Sequence, residues 1–285
     1  MKIWVTGSNG MLGRDLCSRA RSHFEVFESD METDITDCAA VSAFISKNKP
    51  DFIINCAAYT AVDAAETETE LNHRLNAIGP EILGKCSGSA GIGIAHISTD
   101  YVLNGLPPEP LTEDAPINPI NAYGLAKAEG EARLGQANLN HWIVRTAWLY
   151  GTHGKNFVKA MLHLMRTKEH ISVVGDQLGN PTWTCDLAEV LLKIAASPKQ
   201  PGIYNFTGEG IASWYDFAVE IQKQALQKEI LEREIPIMPI SSKEWKSAAK
   251  RPMWSALSKA KIKETFGINA PAWQSSLNKY MEDNT

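Results

Sequence analysis

The sequence predicts an α/β protein: a doubly wound parallel sheet that carries a smaller C-terminal lobe. Three observations lead there. Short β-rich runs alternate with helical patterns through the first 150 residues. Those runs are apolar at successive positions, as strands buried on both faces are. The first run ends in a glycine-rich turn that opens a helix.

The elements follow in order. "KIWVTG" is the first strand, and a helical pattern runs from about Met11 to Arg21. "FEVFES" is the second strand and "DCAAVSAFISKNK" the second helix. "DFIINCAA" is an apolar strand, followed by helical residues through Lys85. "IGIAHIS" is the next strand, "NAYGLAKAEGEARL" the next helix, and "HWIVRTAWLY" the strand after it. This alternation packs helices on both faces of a parallel sheet. After Gly151 the rhythm changes, with a helix at "NFVKAMLHLMRTK", a strand at "ISVVGD" and a helix at "CDLAEVLLKIAAS". From Pro201 come "GIYNFTG", a helix at "WYDFAVEIQKQAL", the proline-marked "IPIMPI" and two terminal helical patterns.

"TGSNGMLG" places Gly7, Gly10 and Gly13 at a G-x-x-G-x-x-G spacing between strand and helix. The glycines allow a tight turn, and the helix N-terminus offers N–H groups to a pyrophosphate. The expected division therefore gives residues 1–150 and 171–200 to a dinucleotide-binding domain. Residues 151–170 and 201–285 form a substrate-binding lobe, with a cleft between the two outside the carboxyl ends of the strands. "HISTDYV" ends a strand in hydroxyl residues: Ser98, Thr99 and then Tyr101. Tyr123 stands four residues before Lys127, on one face of the next helix. Taken singly, Thr99 reads as a turn cap and the Tyr–Lys pair as surface residues. In this order (glycine turn, strand-end hydroxyl, Y-x-x-x-K) they match the arrangement of short-chain dehydrogenases/reductases.

Seven stretches narrow the resemblance: "NCAAYTAVDAAE", "STDYV", "YGLAKAEGE", "RTAWLYG", "GKNFV", "DQLGNPT" and "KRPMWSAL". Together, and in this order, the chain resembles the dTDP-4-dehydrorhamnose reductases, extended short-chain reductases with a Rossmann-type sheet. The resemblance implies NADH- or NADPH-dependent reduction of the 4-keto group of dTDP-4-dehydro-L-rhamnose, the last step to dTDP-L-rhamnose. Two other readings stay open at this point. One is a related reductase forming the C4 epimer, a 6-deoxy-L-talose. The other is a non-catalytic dinucleotide-binding subunit like the regulatory subunit of methionine adenosyltransferase.

By this resemblance Tyr123 protonates the carbonyl oxygen. Lys127 stabilises the phenolate and holds the nicotinamide ribose, and Thr99 hydrogen-bonds the carbonyl oxygen. Cofactor contacts fall on Gly7, Gly10, Met11, Leu12 and Gly13 of the turn, and on Asp34 and Ile35 of "DITD". They continue at Ala57, Ala58 and Tyr59 after the third strand, and at Asn76, which supports the lysine through water. Substrate contacts fall on Thr60, Val62, Tyr101, Trp148, Asn156 and Arg251, beside Thr99. Many relatives carry Gln at the Met11 position and Phe at the Leu103 position. Some bridge subunits with magnesium through glutamates in the first helix; this chain has Asp15 there, and no metal is expected.

The cofactor expectation turns on Asp30, where many relatives carry arginine. An aspartate accepts hydrogen bonds from the ribose hydroxyls of NADH. It repels a 2′-phosphate by roughly 1–3 kcal/mol at close range. Arg14 is the nearby cation that offsets this, so dual use leaning to NADH is expected.

Composition bounds the rest. A net charge of −5 argues against nucleic acid as a partner, and 44% apolar residues support a full core. No apolar run reaches the length of a membrane span, and "MKIWVTG" does not read as a signal peptide. Five cysteines form no CxxC motif and seven histidines no HExxH motif. A reduced, cytoplasmic monomer or homodimer that takes a dTDP-sugar is the expectation.

Overall fold

Six parallel strands carry the fold. They are β1 (Lys2–Thr6), β2 (Glu25–Ser29), β3 (Phe52–Asn55), β4 (Gly93–Thr99), β5 (His141–Thr146) and a sixth, Gly202–Asn205. The structure is a computed structural model and describes residues 1–106 and 108–284. The sheet order is β2, β1, β3, β4, β5, Gly202–Asn205. In chain order the helices are α1 (Met11–Ala20), α2 (Cys38–Asn48), α3 (Thr69–His73), α4 (Gly79–Ser89) and α5 (Ala122–Ala137). They continue as α6 (Phe157–Thr167), α7 (Thr184–Ala196), α8 (Trp214–Gln227), α9 (Ala260–Phe266) and α10 (Trp273–Asp283).

The period-2 geometry of a strand explains why the strands are apolar throughout. Ile3, Val5, Phe52, Ile54, Ala95 and Val144 face one layer, where α1, α7 and α9 supply Leu16, Leu191 and Phe266. The intervening Trp4, Ile53, Ile94 and Ile143 face the other layer, where α2, α4 and α5 supply Val41, Leu83 and Leu134. From β1 the chain runs outward to β2, then returns to place β3 on the other side. A crevice therefore opens at the carboxyl ends of β1 and β3. Register puts Thr6 beside both Ser29 and Asn55 at this point.

The smaller lobe has its own core. Tyr150, Val158, Met161, Phe217, Ile221 and Leu277 meet there, drawn mainly from α6, α8 and α10. Its composition differs from the expected division at 171 and 201. Ile171–Val174 pairs in parallel with Ile237–Ile240, and Ile171 and Val173 enter the lobe core. Gly202–Asn205 instead lies beside β5 in the main sheet, and Ile262 and Phe266 pack beneath that sheet. A strand's own pattern reports that it is buried, not which distant strand it joins. "HWIVRTAWLY" is also two strands. The main sheet ends at Thr146, Trp148 adopts φ 48°, and Leu149–Tyr150 pairs with Thr182–Trp183. The left-handed residue turns the chain out of the sheet and toward the lobe.

Candidate active site

Two recesses share one floor at the carboxyl ends of β1 and β3. The inner one holds about 670 Å³ and the outer one about 590 Å³, with Gly10, Cys56 and Ala58 common to both. The glycine turn shapes the junction. Gly7 has φ +64°, and a Cβ there would sit 2.6 Å from the Ala57 nitrogen, so only glycine fits this crossing of β1 and β3. A Cβ on Gly13 would sit 2.2 Å from the Gly7 carbonyl oxygen. Gly10 caps α1 without a side-chain hydrogen bond, and the first turn of α1 carries no acidic residue. The N–H groups and positive end of that helix are thus left for an anionic ligand. A backbone cradle of this kind fits a dinucleotide pyrophosphate.

Asp30, Asp34, Ile35, Ala57 and Arg74 line the outer recess. Asp30 is half-buried and already engaged: one carboxylate oxygen accepts from the Asn9 N–H at 2.9 Å, the other from the Met31 N–H at 3.0 Å. It ties the end of β2 to the glycine turn. Arg14 turns back on that turn, donating from Nε to the Asn9 carbonyl at 3.0 Å. The cation beside the outer recess is Arg74, more than forty residues downstream of Asp30. Asp34 accepts from the Thr36 N–H at 2.8 Å and hydroxyl at 2.7 Å. These bonds, and then Arg74, hold its carboxyl below the usual range.

Arg74 begins a π-helical turn, Arg74–Ile78, that also carries Asn76. Asn76, expected to support the lysine through water, makes its direct bonds elsewhere. It is fully buried, donates to the Tyr59 carbonyl at 2.8 Å and accepts from the Tyr59 N–H at 3.1 Å. It therefore fixes the backbone of the segment that runs from Ala57 and Ala58, which line the outer recess, to Thr60. Such π turns are concentrated at functional sites because they redirect one side chain without ending a helix.

Thr99, Tyr123 and Lys127 come together in the inner recess, with Tyr101, Thr60, Val62 and Trp148. Local structure explains the placement. The Asn121 side chain caps α5 by accepting from the Gly124 N–H at 2.7 Å, so Tyr123 falls in the first turn and Lys127 one turn later. A Cβ on Gly124 would lie 2.2 Å from the Tyr101 carbonyl oxygen, so glycine lets α5 dock on the end of β4. Tyr101 and Tyr123 meet edge to face, with centroids 5.9 Å apart. Burial, then the Asp100 carboxylate, pushes the Tyr123 phenol up; the Thr99 hydroxyl opposes this. The phenol is thus held protonated at rest. Thr99 donates to Asp100 at 3.0 Å, and burial pushes the Asp100 carboxyl up to about 6.

Lys127 is 1% exposed. Its Nζ donates to the Ile97 carbonyl at 2.6 Å and lies 3.1 Å from His96 Nε2. The hydrogen bonds behind His96 fix what that nitrogen carries. Asn55 Oδ1 accepts from the Ala57 N–H at 3.1 Å and the Thr6 hydroxyl at 2.7 Å. A backbone N–H can only donate, so Asn55 Nδ2 is the atom that faces His96 Nδ1, at 2.9 Å. Nδ1 accepts, the neutral ring carries its proton on Nε2, and that N–H points at Lys127. An ammonium has no lone pair to receive it, whereas an amine has one. Burial likewise lowers Lys127 to about 8, opposed by Glu131 and Cys56. Burial and then Lys127 hold His96 well below its usual range, so the imidazole stays neutral.

Trp148 lies on Trp214, centroids 3.6 Å apart and planes 7° from parallel, forming an aromatic wall of the inner recess. Trp214 opens α8 and reads in the sequence only as helix. Lys155 also lines this recess and is a cation the sequence reading missed. Asn156 caps α6, accepting from the Lys159 N–H at 3.1 Å, and donates to the Gly151 carbonyl at 2.7 Å. Arg251 pairs with Asp63 at 2.8 and 3.2 Å, joining the C-terminal segment to the loop after β3. Neither side chain lines the recess. Among the described residues, no cluster of three or more His, Cys, Asp or Glu side chains is arranged for a metal ion. None of their helices is long and apolar enough to cross a membrane.

Comparison with known proteins agrees with this architecture. The family model "RmlD substrate binding domain" matches residues 1–285. A dTDP-4-dehydrorhamnose reductase from Aggregatibacter actinomycetemcomitans is 39% identical over 97% of each chain. Among solved structures, a dTDP-4-dehydrorhamnose reductase from Clostridium acetobutylicum superimposes with a TM-score of 0.93 at 43% identity, covering 99% of both chains. Another from Bacillus anthracis, in complex with NADP, gives a TM-score of 0.93 at 35% identity over 99% of both chains. Matches of this depth run from the glycine turn through the last helix, and the chain belongs to the dTDP-4-dehydrorhamnose reductase family.

Proposed function

We infer that the protein reduces the 4-keto group of dTDP-4-dehydro-L-rhamnose to give dTDP-L-rhamnose, using NAD(P)H. The observation that carries this reading is the meeting of Thr99, Tyr123 and Lys127 where the glycine cradle opens into the aromatic-walled recess. With its pyrophosphate held by the glycine cradle, NAD(P)H would supply the hydride for the carbonyl carbon. Tyr123 gives its phenolic proton to the carbonyl oxygen, and Thr99, its hydroxyl turned from Asp100, donates a hydrogen bond to the same oxygen as charge develops. Lys127, when protonated, offsets the phenolate left behind. Trp148 and Trp214 offer a flat apolar face to the sugar ring. The test is oxidation of NAD(P)H in the presence of dTDP-4-dehydro-L-rhamnose. Turnover also rules out a purely regulatory role, and NMR of the product at C4 identifies the face reduced.

Cofactor choice follows from the outer recess. Dual use with NADH favoured is supported by the Asp30 carboxylate on the recess wall; Arg74 works the other way. Steady-state kinetics with both cofactors should show NADH equal or better. Asp30→Arg should raise kcat/KM for NADPH about ten-fold, on the order of 1.4 kcal/mol. A wild-type preference for NADPH of that size means that Arg74, not Asp30, meets the ribose.

Arg251 is a candidate partner for the substrate diphosphate. Its fork is held at the rim by Asp63, and a second anion can share it. Arg251→Ala should weaken dTDP binding about ten-fold, within the roughly 1.5–3 kcal/mol of a charge-assisted hydrogen bond. Unchanged affinity by titration calorimetry would leave Arg251 a structural residue that ties its segment to Asp63.

A further inference from the structure

We propose that Cys38 and Cys86 form a dithiol pair, outside the active site, that closes to an intramolecular disulfide when a hydroperoxide reaches Cys38. The two residues are far apart in the sequence and form no motif there. The fold brings them together, with sulfurs 3.4 Å apart, where α2 packs on α4. A disulfide needs about 2.05 Å between sulfurs, so closure takes a shift of roughly 1.4 Å.

The two thiols are unequal in a way that suits stepwise oxidation. Cys38 is exposed at the first position of α2. Cys86 is 8% exposed, and its sulfur accepts from the Ser42 hydroxyl at 3.4 Å. Burial, and the neighbouring Cys38, push the Cys86 thiol up. Cys38 is therefore the sulfur that an oxidant meets first, and Cys86 the resolving partner. In the first step the Cys38 thiolate attacks the peroxide. Its sulfur gains one oxygen and is oxidised to the sulfenic acid, while the O–O bond breaks and the peroxide is reduced to an alcohol or water. In the second, Cys86 attacks the Cys38 sulfur. The S–S bond forms, the S–O bond breaks, and the hydroxyl leaves as water with the Cys86 proton.

The position of this pair gives it a reach beyond the two helices. Cys38 directly follows Asp37, the cap of α2, and the Asp34–Ile35 segment that lines the outer recess. Ile35 rests against the start of α4, where a Cβ on Gly79 would lie 2.5 Å from its Cδ1. The bond would thus fasten α2 to α4 beside the Asp34–Ile35 wall of that recess.

The test uses the full-length protein treated with hydrogen peroxide and then examined by thiol titration, non-reducing peptide mapping and thermal unfolding. The expected result is loss of two of the five thiols, a mapped Cys38–Cys86 bond in the monomer and a raised Tm, all reversed by dithiothreitol. Cys38→Ser should abolish the change while leaving turnover intact, and Cys86→Ser should leave Cys38 as a trappable sulfenic acid. Three results would overturn the proposal: a bond mapped between other cysteines, a dimer linked through Cys38, or over-oxidised Cys38 beside a Cys86 that still titrates.

Discussion

Tyr123→Phe should lower kcat by about a hundred-fold to ten-thousand-fold, the usual contribution of a placed general acid. The ring stays, so its edge-to-face contact with Tyr101 stays, and no cavity forms at the start of α5. The pyrophosphate cradle at Gly7, Gly10 and Gly13 is built from another part of the chain, so NAD(P)H binding should be kept. Only the proton is lost. That proton is held firmly at rest, because burial and the Asp100 carboxylate both disfavour the phenolate. The same features make the phenolate costly once the proton has gone, which is why a cation one turn along α5 is required. Single-turnover measurements with saturating cofactor isolate the chemical step. A variant that reduces ketone at near-normal rate would transfer the role of acid to Thr99 or to solvent, and would remove the main support for the proposed mechanism.

Much of this site was legible in the sequence, and the reason is local geometry. The glycine turn, the strand-end Thr99 and the Tyr123–Lys127 spacing each sit within one strand–turn–helix unit. Periodicity and turn chemistry set them on their elements, and the family resemblance supplied their roles. What escaped the reading depends on contacts between segments far apart in the chain. Gly202–Asn205 joins the main sheet beside β5, but nothing in "GIYN" names that partner. Arg74 lines the outer recess from the start of a π-helical turn. Helical periodicity cannot foresee that extra residue. Asn76 bonds Asn72 and the Tyr59 backbone, the latter a partner on another segment that helical periodicity does not name. Trp214 stands behind Trp148 only because the lobe folds back over the break at φ 48°. His96 reads in "IGIAHIS" as one residue of a buried strand, and its meaning comes only from what stands at each ring nitrogen.

His96 yields the other large effect. In the free enzyme kcat/KM should fall about ten-fold per pH unit above about 8, and His96→Asn should move that limb to higher pH. The sign follows from the charge that the reaction needs. Protonated Lys127 stabilises the phenolate of Tyr123, so activity is lost as Lys127 gives up its proton. The groups facing that amine are few. Glu131 favours the charge but is itself bound by Arg145 at 2.7 and 2.9 Å. The Cys56 thiol is pushed up by burial and stays neutral. Tyr123 is neutral until it reacts, and Asp100 lies on the tyrosine side, against Thr99. On the remaining side His96 presents an N–H, which favours the amine over the ammonium. Asparagine at 96 keeps an acceptor near the Nδ1 position for Asn55 but withdraws the distal N–H. Lys127 should then hold its proton to a pH about one unit higher, on the order of 1.4 kcal/mol. Glutamine returns an amide N–H close to the Nε2 position and should bring the limb back toward the wild-type pH. Full pH profiles of the three proteins decide the matter. A uniform loss of activity at every pH, with the limb unmoved in His96→Asn, would reduce His96 to a core residue. A limb that moves and then returns would show that the proton on a buried imidazole sets the charge of the catalytic lysine.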